Sequence, residues 1–256
     1  MKLVPCIEML YKAEHPDFVE RFRAAGTDGF DAVDIHLWRD KPLDAIVDVV
    51  AETGVKVFSF GVDPRASLVN PAEHATVLGG VRDAVPVARR LDGARMIVAS
   101  GFTLPGVAAA DQRANVVKLL REAARIAADG GATILLEPVH MVIGGQVMFV
   151  HTIRHGLDIV EEVGSPALRL LADVYHGAVT GETFEQAFAE RIELVGHVQV
   201  ADFEGRHEPG TGSLPWSRLV PLLERRGYRG AIGLEYLPTL PITASLALAR
   251  RSLGLT

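Results

Sequence analysis

Cysteine is nearly missing from this 256-residue sequence: Cys6 stands alone. One thiol excludes an internal disulfide and suits a reducing cytoplasm. No run approaches the roughly 18 uncharged apolar residues that a membrane span requires. The opening stretch MKLVPCIEML holds Glu8 and no small-residue cleavage site, so a secretory signal is not expected. Basic residues are in the minority: 26 Lys and Arg stand against 32 Asp and Glu, a net charge of −6. Nucleic-acid binders usually display a basic patch, whereas Arg225/Arg226 and Arg250/Arg251 read as solvated helix ends. No linker rich in Ser, Gly or Pro divides the chain, which leaves residues 1–256 as one domain. These absences point to a cytoplasmic protein with neither a nucleic-acid nor a membrane partner.

What is present is alternation. Short β-branched runs occupy Leu3–Met9, Ala32–Leu37, Val55–Phe60, Arg95–Ala99, Thr133–Glu137, Leu168–Val174, Val195–Ala201 and Ala231–Tyr236. Helical patterns lie between them at Pro16–Ala25, Leu43–Thr53, Pro71–Leu91, Asp111–Asp129, Ile153–Val163, Thr183–Arg191, Pro215–Arg226 and Ile242–Ser252. Asp17 and Asn70-Pro71 supply start signals. Gly26, Gly54, Gly130, Gly164 and Gly227 supply stop signals. Eight strand–helix units imply a parallel α/β sheet, and their combined length fits a closed (β/α)8 TIM barrel. An open doubly wound sheet is the competitor, but Leu10–Pro16 lacks the glycine-rich first turn. Three loops exceed simple connectors: Gly61–Asn70, Val139–Val150 and Phe203–Leu214. Gly144-Gly145 and Gly210/Gly212 would give two of them lid-like flexibility.

Barrel chemistry gathers where strands end. Side chains alternate along a strand, so Glu137, Asp173, Gln199 and Glu235 should all point into the mouth from four neighbouring strands. Three carboxylates that close repel one another unless a divalent cation joins them. Hard oxygen donors with one neutral amide suit Mg²⁺ or Mn²⁺ better than Zn²⁺. Singly, each acid is equally well explained as an arginine partner or a helix cap; four at matching strand ends are not.

The motifs LLEP (135–138), ADVYH (172–176), GHVQVAD (196–202), GRHEPGTG (205–212) and GLEY (233–236) carry a resemblance. Together they resemble the hydroxypyruvate isomerase family, sugar isomerases and epimerases built on the xylose isomerase-like TIM barrel. The likeness is densest over residues 130–240 and collinear from the N-terminus. It implies that Glu137, Asp173, Gln199 and Glu235 bind the metal, and that Glu137 and Glu235 shuttle a proton. It also implies that His176 touches a substrate oxygen and that Arg206 meets the substrate's polar end. Arg206 has a local alternative, an ion pair with Glu204 or Glu208. The activity implied is aldose–ketose isomerisation of a small 2-oxo or hydroxy acid or sugar, through proton removal beside a carbonyl. A ketose 3-epimerase or inosose-type dehydratase on the same scaffold is the alternative. Homo-oligomers formed through the long loops are left open.

Other residues carry weaker signals. His140 follows Glu137-Pro138 and either faces substrate or is an ordinary loop histidine. Asp34 and His36 share an inward face, lining the pocket or forming a buried pair. His197, one layer below Gln199, reads as a support and not a ligand. Trp38 and Phe102 follow strands and shape the mouth. His15, His74, His151 and His155 read as surface residues. Cys6, with no histidine matched to it, reads as a small pocket or core residue.

The sequence also departs from the family pattern. Cys6 and Glu8 stand where an Asn and a small polar residue are usual, and Asp34 where many relatives carry Glu. The loop after strand three differs as well, which puts the substrate in question. Ile143 replaces the acid that ketose 3-epimerases place six residues after the first ligand, which disfavours that alternative.

Overall fold

Aliphatic and β-branched runs too short for a helix form eight parallel strands in the computed structural model, which describes residues 1–255. They are β1 (Leu3–Pro5), β2 (Ala32–Leu37), β3 (Lys56–Gly61), β4 (Arg95–Ala99), β5 (Ile134–Glu137), β6 (Leu168–Asp173), β7 (Val195–Val200) and β8 (Ile232–Leu234). They lie side by side in the order β1-β8-β7-β6-β5-β4-β3-β2. A parallel bridge between Cys6 and Asp34 joins the two edges and closes the barrel. Among the described residues, no helix is long and apolar enough to cross a membrane.

Helices cover the outside. In Ala109–Asp129, the residues Val116, Leu119, Leu120, Ala123, Ala124 and Ala127 are buried, the spacing of one helix face. Each Leu or Val so buried contributes about 1.5–3 kcal/mol. Three stop signals work as expected: Gly54 (φ 74°), Gly164 (φ 68°) and Gly227 (φ 89°) take the left-handed conformation that ends a helix. Asn70 accepts a hydrogen bond from the Ala72 amide, and a 3₁₀ turn (Pro71–Glu73) leads into the helix His74–Arg90.

Several expected boundaries move. The first strand stops at Pro5, because the Cys6 carbonyl accepts from the Met9 and Leu10 amides and starts the short helix Ile7–Leu10. The first long helix runs Glu20–Thr27, after Asp17 accepts from the Val19 and Glu20 amides. Gly26 lies inside that helix, where a Cβ would come within 3.1 Å of Val55. At Gly130 the left-handed turn falls one residue later, at Gly131 (φ 69°). A helix at Val174–Val179 follows β6 directly, and the expected Thr183–Arg191 helix shrinks to Phe184–Ala187.

The glycine pairs have defined places in the structure. Gly144 and Gly145 (φ 56° and 79°) form the two-residue turn of a hairpin joining Val142–Ile143 to Gln146–Val147. A Cβ on Gly212 would lie 2.0 Å from the Phe203 carbonyl oxygen, and one on Gly210 would lie 2.2 Å from Ser252 Oγ. Close packing demands these two glycines.

Candidate active site and metal centre

Parallel register sets the acids level at one rim. Asp173 pairs with Gln199 across β6 and β7, and Gln199 with Gly233 across β7 and β8. Glu137 closes β5, opposite Ala99 of β4. Glu235 lies one residue beyond β8, yet its amide still donates to the Val200 carbonyl at 3.1 Å. Gln199 packs against the space beside Gly233, where a Cβ would lie 2.7 Å from the Gln199 Cγ. The four expected metal ligands therefore sit at adjacent strand ends, as strand alternation anticipates.

Asp173 also caps the helix Val174–Val179, its Oδ1 accepting from the Tyr175 amide at 2.9 Å. That helix carries His176 back over the site, its Nε2 3.6 Å from Asp173 Oδ2. Donor atoms of Glu137, Asp173 and His176 lie within 4.8 Å of one another. His140 is half-buried in the loop after β5.

Arg206 does not pair with Glu204 or Glu208. Its Nη2 reaches Asp173 Oδ2 at 3.3 Å and Glu235 Oε2 at 3.2 Å, and its guanidinium lies over the Tyr175 ring. The second approach is an ion contact without hydrogen-bond geometry, so Glu235 Oε2 has no hydrogen-bond partner. Arg206 takes a left-handed backbone (φ 58°), uncommon for a residue with a side chain. The surrounding loop fixes it there. Buried Asp202 accepts from the amides of Phe203 (2.9 Å), Gly210 (2.7 Å) and Leu214 (3.2 Å) and from Trp216 Nε1 (2.7 Å). Buried Glu208 accepts from the Thr239 and Leu240 amides, lacing this loop to the one after β8. His207 joins the same lacing through its Nδ1 and the Leu237 carbonyl at 2.9 Å.

Charge crowding is severe. Burial, then Glu235, then Asp173 push the Glu137 carboxyl up to about 8. Burial also raises Asp173, against the pull of His176 and Arg206. Glu235 is buried too, but a hydrogen bond from His36 and the charge of Arg206 hold it below the usual carboxylate range. Burial lowers His176.

The donor set fits a hard divalent cation. Gln199 Oε1, Glu235 Oε2 and His176 Nδ1 are buried with no hydrogen-bond partner. Unpaired oxygen atoms beside three crowded carboxylates are costly without a positive charge. Arg206 supplies one such charge, at two of the three.

Asp34 and His36 part company. Asp34 is buried, accepting from Ser59 Oγ and paired to His197 Nε2 at 2.8 Å. His197 is thus part of a core pair beneath the site. His36 stays at the mouth, its Nε2 3.4 Å from Glu235 Oε1 and 3.3 Å from Cys6 Sγ. Sequence reasoning missed that histidine partner for Cys6, because thirty residues separate the two and only barrel closure joins them. Glu8, on the helix Ile7–Leu10, accepts from the His36 amide and pairs with Lys41 at 2.9 Å. Trp38 and Phe102 are both half-buried. The four histidines expected at the surface are half-buried. His74 and His151 are each tied to a backbone carbonyl at 2.9 Å, and His155 packs on Phe149.

Known proteins share this chain over most of its length. The sequence model of the xylose isomerase-like TIM barrel family matches residues 19–252. A human putative hydroxypyruvate isomerase is 30% identical over 230 residues, covering 85% of this chain and 83% of that protein. The 2-oxo-tetronate isomerase of Cupriavidus necator is 29% identical over 255 residues, covering 97% of each. A crystal structure described as AP endonuclease, family 2, from Brucella melitensis superposes with a TM-score of 0.88 at 25% identity, covering 96% of each chain. The closed barrel, its rim of acids and these likenesses agree: the chain belongs to the xylose isomerase-like TIM barrel family, as an enzyme of the hydroxypyruvate isomerase type.

Proposed function

We propose that this chain is a divalent-metal-dependent aldose–ketose isomerase acting on a small 2-oxo or hydroxy acid, as between hydroxypyruvate and tartronate semialdehyde. One observation carries the reading. Glu137, Asp173, Gln199 and Glu235 stand at four adjacent strand ends, with Gln199 Oε1 and Glu235 Oε2 buried and unpaired. Those four residues would hold Mg²⁺ or Mn²⁺. When bound, such a cation polarises the substrate oxygens and acidifies the neighbouring C–H.

The chain's own residues supply the rest. Glu137 and Glu235 approach from β5 and β8, on either side of the β6 and β7 ligands. One takes the proton from the first carbon and the other returns one to its neighbour. Their surroundings differ, with Glu137 crowded by acids and Glu235 held by His36 and Arg206. Unlike environments are what an acid–base pair of identical side chains requires. Arg206 Nε is a buried donor with no partner. With a second guanidinium N–H it can grip a substrate carboxylate through two parallel bonds. His176, and His140 beside it, would donate to a substrate oxygen.

Incubation with hydroxypyruvate and Mn²⁺ in D₂O tests the reading, and solvent deuterium should appear at the exchanging carbon. Glu137→Gln and Glu235→Gln should each lower kcat by at least about 100-fold, the lower range of general acid–base catalysis. An active double variant would overturn the acid–base assignment. Absence of exchange across a panel of small oxo acids and ketoses would overturn the activity.

A further inference from the structure

Three neighbouring strands meet on the far side of Glu235 from the oxygen-rich cluster. β8 leads to Glu235, β1 leads to Cys6, and β2 carries His36. The Cys6 amide donates to the Leu234 carbonyl at 2.9 Å, and Cys6 bridges to Asp34, two residues before His36. The backbone therefore fixes all three positions. Sγ of Cys6, Nε2 of His36 and a carboxylate oxygen of Glu235 all lie within 4.8 Å of one another.

We propose that Cys6, His36 and Glu235 form a second cation site, taking a thiophilic divalent ion of the zinc class and sharing Glu235 with the first. The donor set is one sulfur, one imidazole nitrogen and one carboxylate oxygen, the chemistry zinc favours over magnesium. The spacing fits as well. Tetrahedral zinc, with bonds of about 2.3 Å to sulfur and about 2.0–2.1 Å to nitrogen or oxygen, sets its donors about 3.3–3.6 Å apart. Here Sγ to Nε2 is 3.3 Å and Nε2 to Oε1 is 3.4 Å. Three protein ligands leave the fourth position open, as at catalytic zinc. Glu8 stands behind the histidine, one oxygen accepting from the His36 amide and lying 4.0 Å from Nδ1.

The same pair could be read as a nucleophile and its base, but Cys6 is only 1% exposed. A substrate carbon cannot reach such a sulfur, whereas an ion held among the three donors needs only their tips. On binding, the thiol proton passes to solvent and the thiolate takes the metal. The site rests on these three residues and does not depend on the isomerase reading.

The test is titration of the full chain with Co²⁺ in saturating Mg²⁺, followed by absorbance. One equivalent of Co²⁺ should give a thiolate-to-cobalt charge-transfer band. Cys6→Ser should abolish the band, and His36→Gln should weaken the affinity that produces it. Asp173→Asn, which touches only the other site, should keep it. No thiolate band at saturating Co²⁺ would overturn the proposal, as would an unchanged affinity in His36→Gln. Cadmium NMR of the unsubstituted protein gives a second readout that needs no variant to fold. A resonance typical of mixed sulfur, nitrogen and oxygen ligation supports the site, and a spectrum without any such resonance at saturating cadmium overturns it. Neither measurement reads deuterium exchange, so failure here is distinct from failure of the isomerase reading.

Discussion

Asp202 is fully buried, and it ties down the loop that carries Arg206. Its two oxygens accept four hydrogen bonds, all from the segment Phe203–Trp216. Asp202→Ala would strand those donors where water cannot replace the carboxylate. A loss of about 3 kcal/mol is expected, since each unsatisfied buried group costs about 1–3 kcal/mol and the loop relaxes in part. Urea denaturation followed by tryptophan emission would measure it. Asp202→Asn keeps one carbonyl acceptor and should cost less than the alanine variant. Equal stability of Asp202→Ala and the unsubstituted chain would show that the loop holds itself.

The loops after β7 and β8 behave as one element because Glu208 joins them. Burial pushes its carboxyl up, but the hydrogen bonds it accepts, among them those from the Thr239 and Leu240 amides, prevail and hold it below the ordinary value of 4.5. Between that depressed value and 4.5, the unfolded chain binds the proton and the folded chain does not. The contribution of Glu208 is therefore complete above pH 4.5 and disappears as the pH falls through the folded value. Glu208→Gln should be less stable than the unsubstituted chain at neutral pH, with the gap closing under acid. Thermal unfolding of both across that acid range checks it, and parallel curves would refute the linkage.

Across the whole molecule, the ring of strands sets the acids side by side at one rim. A cation that binds only this folded arrangement stabilises the barrel by mass action. Saturation at about 100 times Kd is worth about 2.7 kcal/mol, or roughly 5–10 °C in Tm for a chain of this size. Mn²⁺ should produce such a shift by differential scanning fluorimetry, and Asp173→Asn should remove most of it. A shift that survives Asp173→Asn and Glu137→Gln together would place the cation elsewhere. The net charge of −6 offers no general attraction for an acidic substrate. Any such attraction would have to be local, as from the Arg206 guanidinium at the mouth.

The sequence by itself determined the eight-fold alternation and the rim of Glu137, Asp173, Gln199 and Glu235. Both follow from local periodicity: a strand alternates its faces whatever its partners, and barrel chemistry gathers at strand ends. It also placed His197 below the rim, since two residues along a strand are one layer. Only the tertiary structure decided that Arg206 turns onto Asp173 and Glu235, that Asp34 pairs with His197 across 163 positions, and that Cys6 meets His36. The glycines at 144, 145, 210 and 212 likewise declared their roles only in place, as turn geometry and close approach. The physical reason is common to all of these. Such contacts cross between strands and loops distant in sequence, so they exist only once register is set and β1 has closed against β2.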